Sequence, residues 1–400
     1  MTRPALHVLM YSDLRSSSGG RETWLAYFLP RLAARGVLRE VVVHHMRALG
    51  AAEDALPPRL LAACAGAPTA VRFAAAPLAL HGRAGPLARF AAFTTSALAR
   101  LARDARPGDV VLAVGFHGEA PPACLAALAG RLLARRLRLV TWLREGSLEL
   151  VADRRGALVH AAARRLLALQ LARSDRIVTN GRDTQARFLE GFPALAGRFV
   201  CLPNALAAPA LLSLPPPDWS APRWRVGFVG RLSPAKGAPA FGAAAALARG
   251  RPEAAGLEFA AWGRAEGAGD LGSVTLHAPL PQPRIGEAYA ACHVVAFLND
   301  ARYASGVSHA ALEALAAGRL VVAWDDDCHR QVFEGAGATL VPPGDVGALV
   351  RALVALRALS TAALAERAAL ARARAAAHDA DAHVERFVRE VLGPLLEAGG

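Results

Sequence analysis

At 400 residues the chain exceeds what one hydrophobic core usually serves, so two domains are expected. It is 54% hydrophobic, much of that alanine, and it holds no uncharged, proline-free apolar run of about 18 residues, which excludes a membrane-spanning helix. Its net charge of +13 is uneven: residues 1–205 carry 28 basic and 14 acidic side chains, residues 206–400 carry 18 and 19. The first half is therefore expected to face something anionic. Nucleic acid is set aside, because interleaved aromatics, zinc spacings and a basic recognition helix are all missing.

The N-terminus, "MTRPALHVLMYSD", has a short apolar run without a small-residue cleavage site and reads as a first strand, not a signal peptide. Strand-like runs follow at 40–46, 109–115, 137–143 and 175–180, alternating with arginine-bearing helical patterns. The segment 205–224 carries three consecutive prolines and two more, which exclude helix interior and central strand, so residues 206–222 read as a linker. Beyond it the alternation resumes with strands at 225–230, 257–263, 273–278, 293–298, 320–325 and 338–342. Strand and helix in turn imply parallel sheets covered on both faces, that is, two doubly wound α/β domains, 1–205 and 223–380. A last helix, 381–400, has no strand after it and is placed as crossing back to the first domain. Ligands of such sheets bind at the carboxyl ends of the strands, so a cleft between the domains is the expected site. Cys64, Cys124, Cys201, Cys292 and Cys328 lie far apart without C-x-x-C spacing and fit a reducing cytoplasm.

Lys236 is the sole lysine among 46 basic residues; all the others are arginine. A compact point charge on a slender stem suits some phosphate sites that a planar guanidinium does not. It lies in "GFVGRLSPAKG", five residues after Arg231 and just past a strand, and two cations there can neutralise a diphosphate leaving group. In the first domain, Gly19 and Gly20 in "SSSGGRE" free the backbone and the amides of a helix start for a phosphate. In "YASGVSHAALEALAAG", Gly306 precedes a helix that carries Glu313. Amides around Gly306, Val307 and Ser308 suit phosphate oxygens, and a carboxylate near a helix start suits the two hydroxyls of a ribose.

Two other patterns are decoys. "GAGDLG" at 267–272 satisfies G-x-G-x-x-G but precedes a strand-like run where a dinucleotide site requires a helix. "DDD" at 325–327 is reminiscent of an acidic metal motif, yet no metal or other cofactor is expected.

Taken in order, "SGGRE", "DVVLAVGFHG", "SDRIVTNGRDTQARF", "LPNAL", "GRLSPAKG", the Gly-to-Glu helix start, "EALAAG" and "VPPGD" resemble glycosyltransferase family 4, over nearly the whole chain. The resemblance implies the GT-B fold, two Rossmann-like domains facing across a cleft. It implies transfer of a sugar from a nucleotide diphosphate sugar to an acceptor hydroxyl, with retention and without metal. Arg231 and Lys236 would bind and stabilise the leaving pyrophosphate, Glu313 would contact the ribose as the second glutamate of E-x7-E, and Gly19 and Gly20 would lie against the donor phosphates. His117 resembles the family's active-site histidine. The first glutamate of E-x7-E falls at Ser305, grouped with the donor-binding residues; its loss leaves a nucleotide-sugar-binding pseudoenzyme or assembly partner as the alternative. The expected acceptor is an anionic or lipid-linked saccharide of the cell envelope, such as a lipopolysaccharide, met in the cytoplasm with peripheral contact at the anionic inner membrane face.

Overall fold

A computed structural model describes residues 3–14, 19–47, 56–79, 83–116, 119–132, 136–144, 157–267, 269, 271–303 and 306–397. The chain divides into two units: Met1–Pro203 with Ala380–Gly400, and Asn204–Asp379.

The first unit is built on a seven-stranded sheet, β1 (Ala5–Met10), β2 (Glu40–Arg47), β3 (Ala70–Ala79), β4 (Val110–Val114), β5 (Arg138–Leu143), β6 (Arg176–Thr179) and β7 (Phe199–Cys201), in the order β3-β2-β1-β4-β5-β6-β7. All six pairings are parallel, with Leu6 opposite both Val41 and Val110. Burial on both faces accounts for the unbroken apolar run of β4 and for β1, which is apolar but for the buried His7. Helices α1 (Gly20–Ala34), α2 (Leu56–Ala63), α3 (Pro86–Asp104), α4 (Ala120–Leu132), α5 (Ala157–Arg173) and α6 (Arg182–Gly191) connect them. On α3, Phe93, Ala97 and Leu101 recur at intervals of four and form one stripe, which packs on Leu9, Val111 and Ala113 of the sheet. The order reverses at β1, whose neighbours β2 and β4 lie on opposite sides.

The second unit repeats the plan with β8 (Trp224–Val229), β9 (Leu257–Trp262), β10 (Thr275–His277), β11 (Val294–Phe297), β12 (Leu320–Trp324) and β13 (Thr339–Val341), ordered β10-β9-β8-β11-β12-β13 and all parallel. Its helices are α7 (Ala238–Arg249), α8 (Ile285–Ala290), α9 (His309–Ala316), α10 (Asp327–Phe333), α11 (Val346–Arg357) and α12 (Thr361–Ala376). The strand period of two splits β11 between two cores: Val294 and Ala296 join Phe241 and Leu353 on one face, Val295 and Phe297 join Leu312 and Phe333 on the other. Each valine, leucine or phenylalanine side chain so buried contributes roughly 1.5–3 kcal/mol. Ser308, Asp326, Asp345 and Ser360 cap α9 to α12, each accepting a backbone N–H three residues on.

The proline-rich stretch expected as a linker does not stand free. Leu206 and Leu211 are buried in the core of the second unit, and Pro209–Ser213 forms a 3-10 turn there. The C-terminal segment, α13 (Ala380–Arg386), a π-helical turn Phe387–Leu392 and α14 (Gly393–Glu397), belongs to the first unit. Phe387 stacks on Trp142 (5.6 Å) and meets Phe28 edge-on (5.0 Å), while Arg386 donates to the Cys201 carbonyl. Among the described residues no single helix is long and apolar enough to cross a membrane.

Candidate active site

In the second unit the order reverses at β8, so the loops after β8 and β11 open side by side at the carboxyl edge of the sheet. The first carries the expected Arg231 and Lys236; the second carries Gly306 to Ser308 and leads into α9, which holds Glu313. The first loop is tied down by backbone bonds. Gly230 N donates to Trp262 O (2.9 Å), Leu232 N to Arg264 O (2.9 Å) and Asp300 N to Ala235 O (3.2 Å). Gly230 has φ +142°, and a β-carbon on Gly263 would overlap its carbonyl, so both strand ends must be bare. Pro234–Lys236 is a 3-10 turn that ends at Gly237, whose φ of +82° starts α7. Lys236 is half-buried there; Arg231 is exposed and 3.7 Å from the carboxylate of Glu266.

Gly306 has φ +61°, Val307 is buried, and Ser308 caps α9 through Ala311 N (3.2 Å). Glu313, in the second turn, is buried at 4% exposure. Its Oε1 accepts from Gln282 Nε2 (2.8 Å) and its Oε2 from the Tyr289 hydroxyl (3.0 Å). Burial pushes its pKa up to about 7, against the two hydrogen bonds, which favour the charged form. Asn204 Nδ2 donates to Val307 O (2.7 Å), fixing the start of this loop, and Asn204 O accepts from His378 Nδ1 (3.1 Å). Gln282, Tyr289 and Asn204 were not among the expected site residues. Asn204 lies within "LPNAL", which gave a signal; the other two gave none.

The first unit has its own reversal at β1, and the loops after β1 and β4 carry Gly19, Gly20 and His117. His117 lies outside the described residues, as does Ser305. Gly19 is the N-cap of α1 and makes no side-chain cap bond. The carboxylate of Glu22 folds back over it so closely that a β-carbon on Gly19 would collide with Oε2, and Ser12 Oγ donates to the same carboxylate. An anion thus already stands at this helix start, where a phosphate was expected. Around it lies a polar cluster not anticipated from the sequence. Glu119, fully buried, accepts from Tyr11 N and from Arg21 Nη1, both at 2.8 Å, beside Gly115 with φ +120°. Arg144, buried, lies over the Trp24 ring (5.1 Å) and donates to the Gly20 carbonyl (3.2 Å).

The acidic run 325–327 is engaged within its own turn. Asp325 pairs with Arg330 (2.7 Å), and Asp326 caps α10 and bonds His329 Nδ1 (2.8 Å). Among the described residues no group of three or more His, Cys, Asp or Glu side chains is placed to hold a metal ion. A shallow pocket of about 460 Å³ lined by Glu40, Arg72, Arg103 and Asp104 lies at the amino edge of the first sheet, away from every loop above.

Residues 223–358 match the family model described as Glycosyl transferases group 1. No curated protein sequence matches the chain. Solved structures match over its whole length. HepE of Anabaena in complex with UDP and glucose is 19% identical, covering 97% of this chain and 99% of its own, with a TM-score of 0.68. Sucrose-phosphate synthase of Thermosynechococcus elongatus is 19% identical over 100% of both chains, with a TM-score of 0.68. A UDP-forming trehalose-phosphate synthase of Burkholderia vietnamiensis is 14% identical, over 100% of this chain and 99% of its own, with a TM-score of 0.70. The chain thus has the GT-B fold, and residues 223–358, which include Arg231, Lys236 and Glu313, match the group 1 glycosyltransferases.

Proposed function

We propose that the protein is a glycosyltransferase of the family 4 type, moving a sugar from a nucleoside diphosphate sugar to an acceptor hydroxyl with retention. The observation that carries this reading is that Arg231 and Lys236 lie in the loop that follows one strand of the second sheet's reversal point, and the Glu313 helix follows the other. In this reading Lys236 and Arg231 neutralise the diphosphate as it leaves, and Glu313 receives the ribose. The leaving phosphate assists the incoming hydroxyl on the same face of the sugar. Gly19, Gly20, Gly306, Val307 and Ser308 line the donor, and His117 serves the sugar. UDP in similar structures makes a uridine donor the first to test. The charge on the leaving group is met by the two cations without metal, consistent with the engagement of Asp325 and Asp326 elsewhere. Ser305, where the family's first glutamate would stand, favours a second reading, a donor-binding protein without turnover.

The acceptor we propose is an anionic or lipid-linked saccharide of the cell envelope, met at the cytoplasmic membrane face. Helices α3, α4 and α5 pack in that order and expose Leu87, Leu125, Leu128 and Leu169, and α5 also exposes Arg164 and Arg165. Apolar side chains together with arginines suit an anionic lipid surface. Co-sedimentation with anionic but not with neutral vesicles is expected; equal absence from both would remove the membrane from the reading.

Thermal unfolding against UDP, GDP, ADP and their common sugars, with EDTA present, tests the donor. Stabilisation by one nucleoside diphosphate is expected, with slow hydrolysis of its sugar in which water takes the sugar in place of the acceptor hydroxyl and the diphosphate leaves. Stabilisation without release would select the second reading, and no shift with any would overturn both.

A further inference from the structure

Glu313 does not stand alone in its helix. Gln282, half-buried in the 3-10 turn Gln282–Arg284, and Tyr289, fully buried on α8, approach it from one continuous segment. The two oxygens of a carboxylate offer about four acceptor sites. One on each oxygen is taken, by the Gln282 amide and by the Tyr289 hydroxyl, which also lies 3.1 Å from the Ala310 carbonyl. Two donors from different directions fix the plane of the carboxylate and leave one site on each oxygen. Burial at this position works against charge, and both donors work for it.

We infer that Gln282 and Tyr289 are positioning residues for the nucleotide: they hold Glu313 so that its two remaining acceptor sites meet adjacent ribose hydroxyls, and the site thereby selects ribonucleotides. The inference rests on the reading that Glu313 faces the donor ribose. Gln282 is the more informative of the two, because its partial exposure allows truncation without opening a core cavity. Tyr289→Phe keeps the ring in the core and removes only the hydroxyl.

The test is calorimetric binding of whichever of UDP, GDP and ADP binds tightest, and of its dideoxy analogue, to the full-length protein and to Gln282→Ala and Tyr289→Phe. The unmodified protein is expected to prefer the ribonucleotide by about tenfold or more, as for hydrogen bonds to a charged group. Each variant is expected to lose most of that preference, with affinity for the dideoxy analogue unchanged. An unmodified protein without the preference, or binding none of the three, would overturn the ribose reading and the inference with it. A preference retained in both variants would overturn the inference alone, as would equal losses for the two ligands, which would mark a merely structural role.

Discussion

Gly237 lies against the carbonyl of Leu298 so closely that a β-carbon on it would overlap that group. The carbonyl cannot easily retreat, because it also accepts the indole N–H of Trp324 at 3.0 Å. The residue is in the left-handed region as well, with φ +82°. Gly237→Ala is therefore expected to cost about 1–3 kcal/mol and to shift the turn that carries Lys236. A lowered unfolding midpoint together with loss of nucleotide-induced stabilisation would confirm the coupling. Loss of stability with unchanged nucleotide binding would separate the clash from the site.

Lys236→Ala removes a charge from a half-buried position without opening the core. Release of nucleoside diphosphate from the donor sugar is expected to fall about 100-fold or more, as for other preorganised charges on a leaving group. The midpoint of thermal unfolding is expected to stay within about 2 °C, the span of the small effects typical of such surface changes. Lys236→Arg should recover little, since a planar fork does not replace a compact ammonium in a tight turn. Full activity in Lys236→Arg would mean that charge alone matters and that the sole lysine of the chain carries no geometric information.

The C-terminal segment is anchored by aromatic packing, and Phe387 is its central residue. It is fully buried, stacked on Trp142 and set edge-on to Phe28. Phe387→Ala is expected to destabilise the first unit by about 3–5 kcal/mol, the usual cost of emptying such a site. Denaturant unfolding followed by tryptophan fluorescence would measure it, since Trp24 and Trp142 lie in the same cluster. A change below about 1 kcal/mol would show that the segment docks without stabilising.

The central strands were legible because parallel strands buried on both faces leave largely apolar runs such as "VVLAV" and "LVTWL". The two strands not anticipated, β3 and β7, are the two edges of the first sheet. β3 is alanine-rich, contains Pro77 and is mostly half-exposed or exposed, so it lacks the β-branched signal; β7 has three residues. The prolines of 206–222 speak against helix interior and central strand but say nothing about burial: Pro209–Ser213 is a 3-10 turn, and Leu206 and Leu211 are core residues. At the site, Arg231 and Lys236 could be singled out because composition made the lysine conspicuous. Glu313 was named from its helix, but its two donors stand 31 and 24 residues before it, and no local spacing marks a buried hydrogen-bond donor. The cluster around Glu119 was hidden for the same reason: its partners, Tyr11 and Arg21, come from the far end of the first domain's sequence.

Two buried groups set opposite trends of stability with pH, and they lie in different units. His44, on β2, has its pKa lowered to about 3, first by burial and then by His7, whose Nδ1 lies 3.3 Å from His44 Nε2; Arg100 and Arg72 act the same way and Asp104 against. The unfolded chain takes up a proton near the ordinary value of 6.5 that the folded state refuses. The stability associated with neutral His44 is thus complete above about pH 6.5 and is lost as pH falls toward 3, by up to about 1.4 kcal/mol per pH unit. Glu313 runs the other way: its folded pKa of about 7 exceeds the ordinary carboxyl value of 4.5, so the folded state keeps its proton longer. Its contribution is complete below about pH 4.5 and is lost as pH rises toward 7. His44→Gln should flatten the acid limb of the first unit between pH 4 and 6, and Glu313→Gln should flatten the loss in the second unit between pH 5 and 7. Urea unfolding of both variants across this range measures the two slopes. An acid limb unchanged in His44→Gln would assign it to carboxylates such as Asp109, which burial opposes but the neighbouring His7, 3.7 Å away, and hydrogen bonds from the amides of Ala5 and Arg106 hold below the usual range.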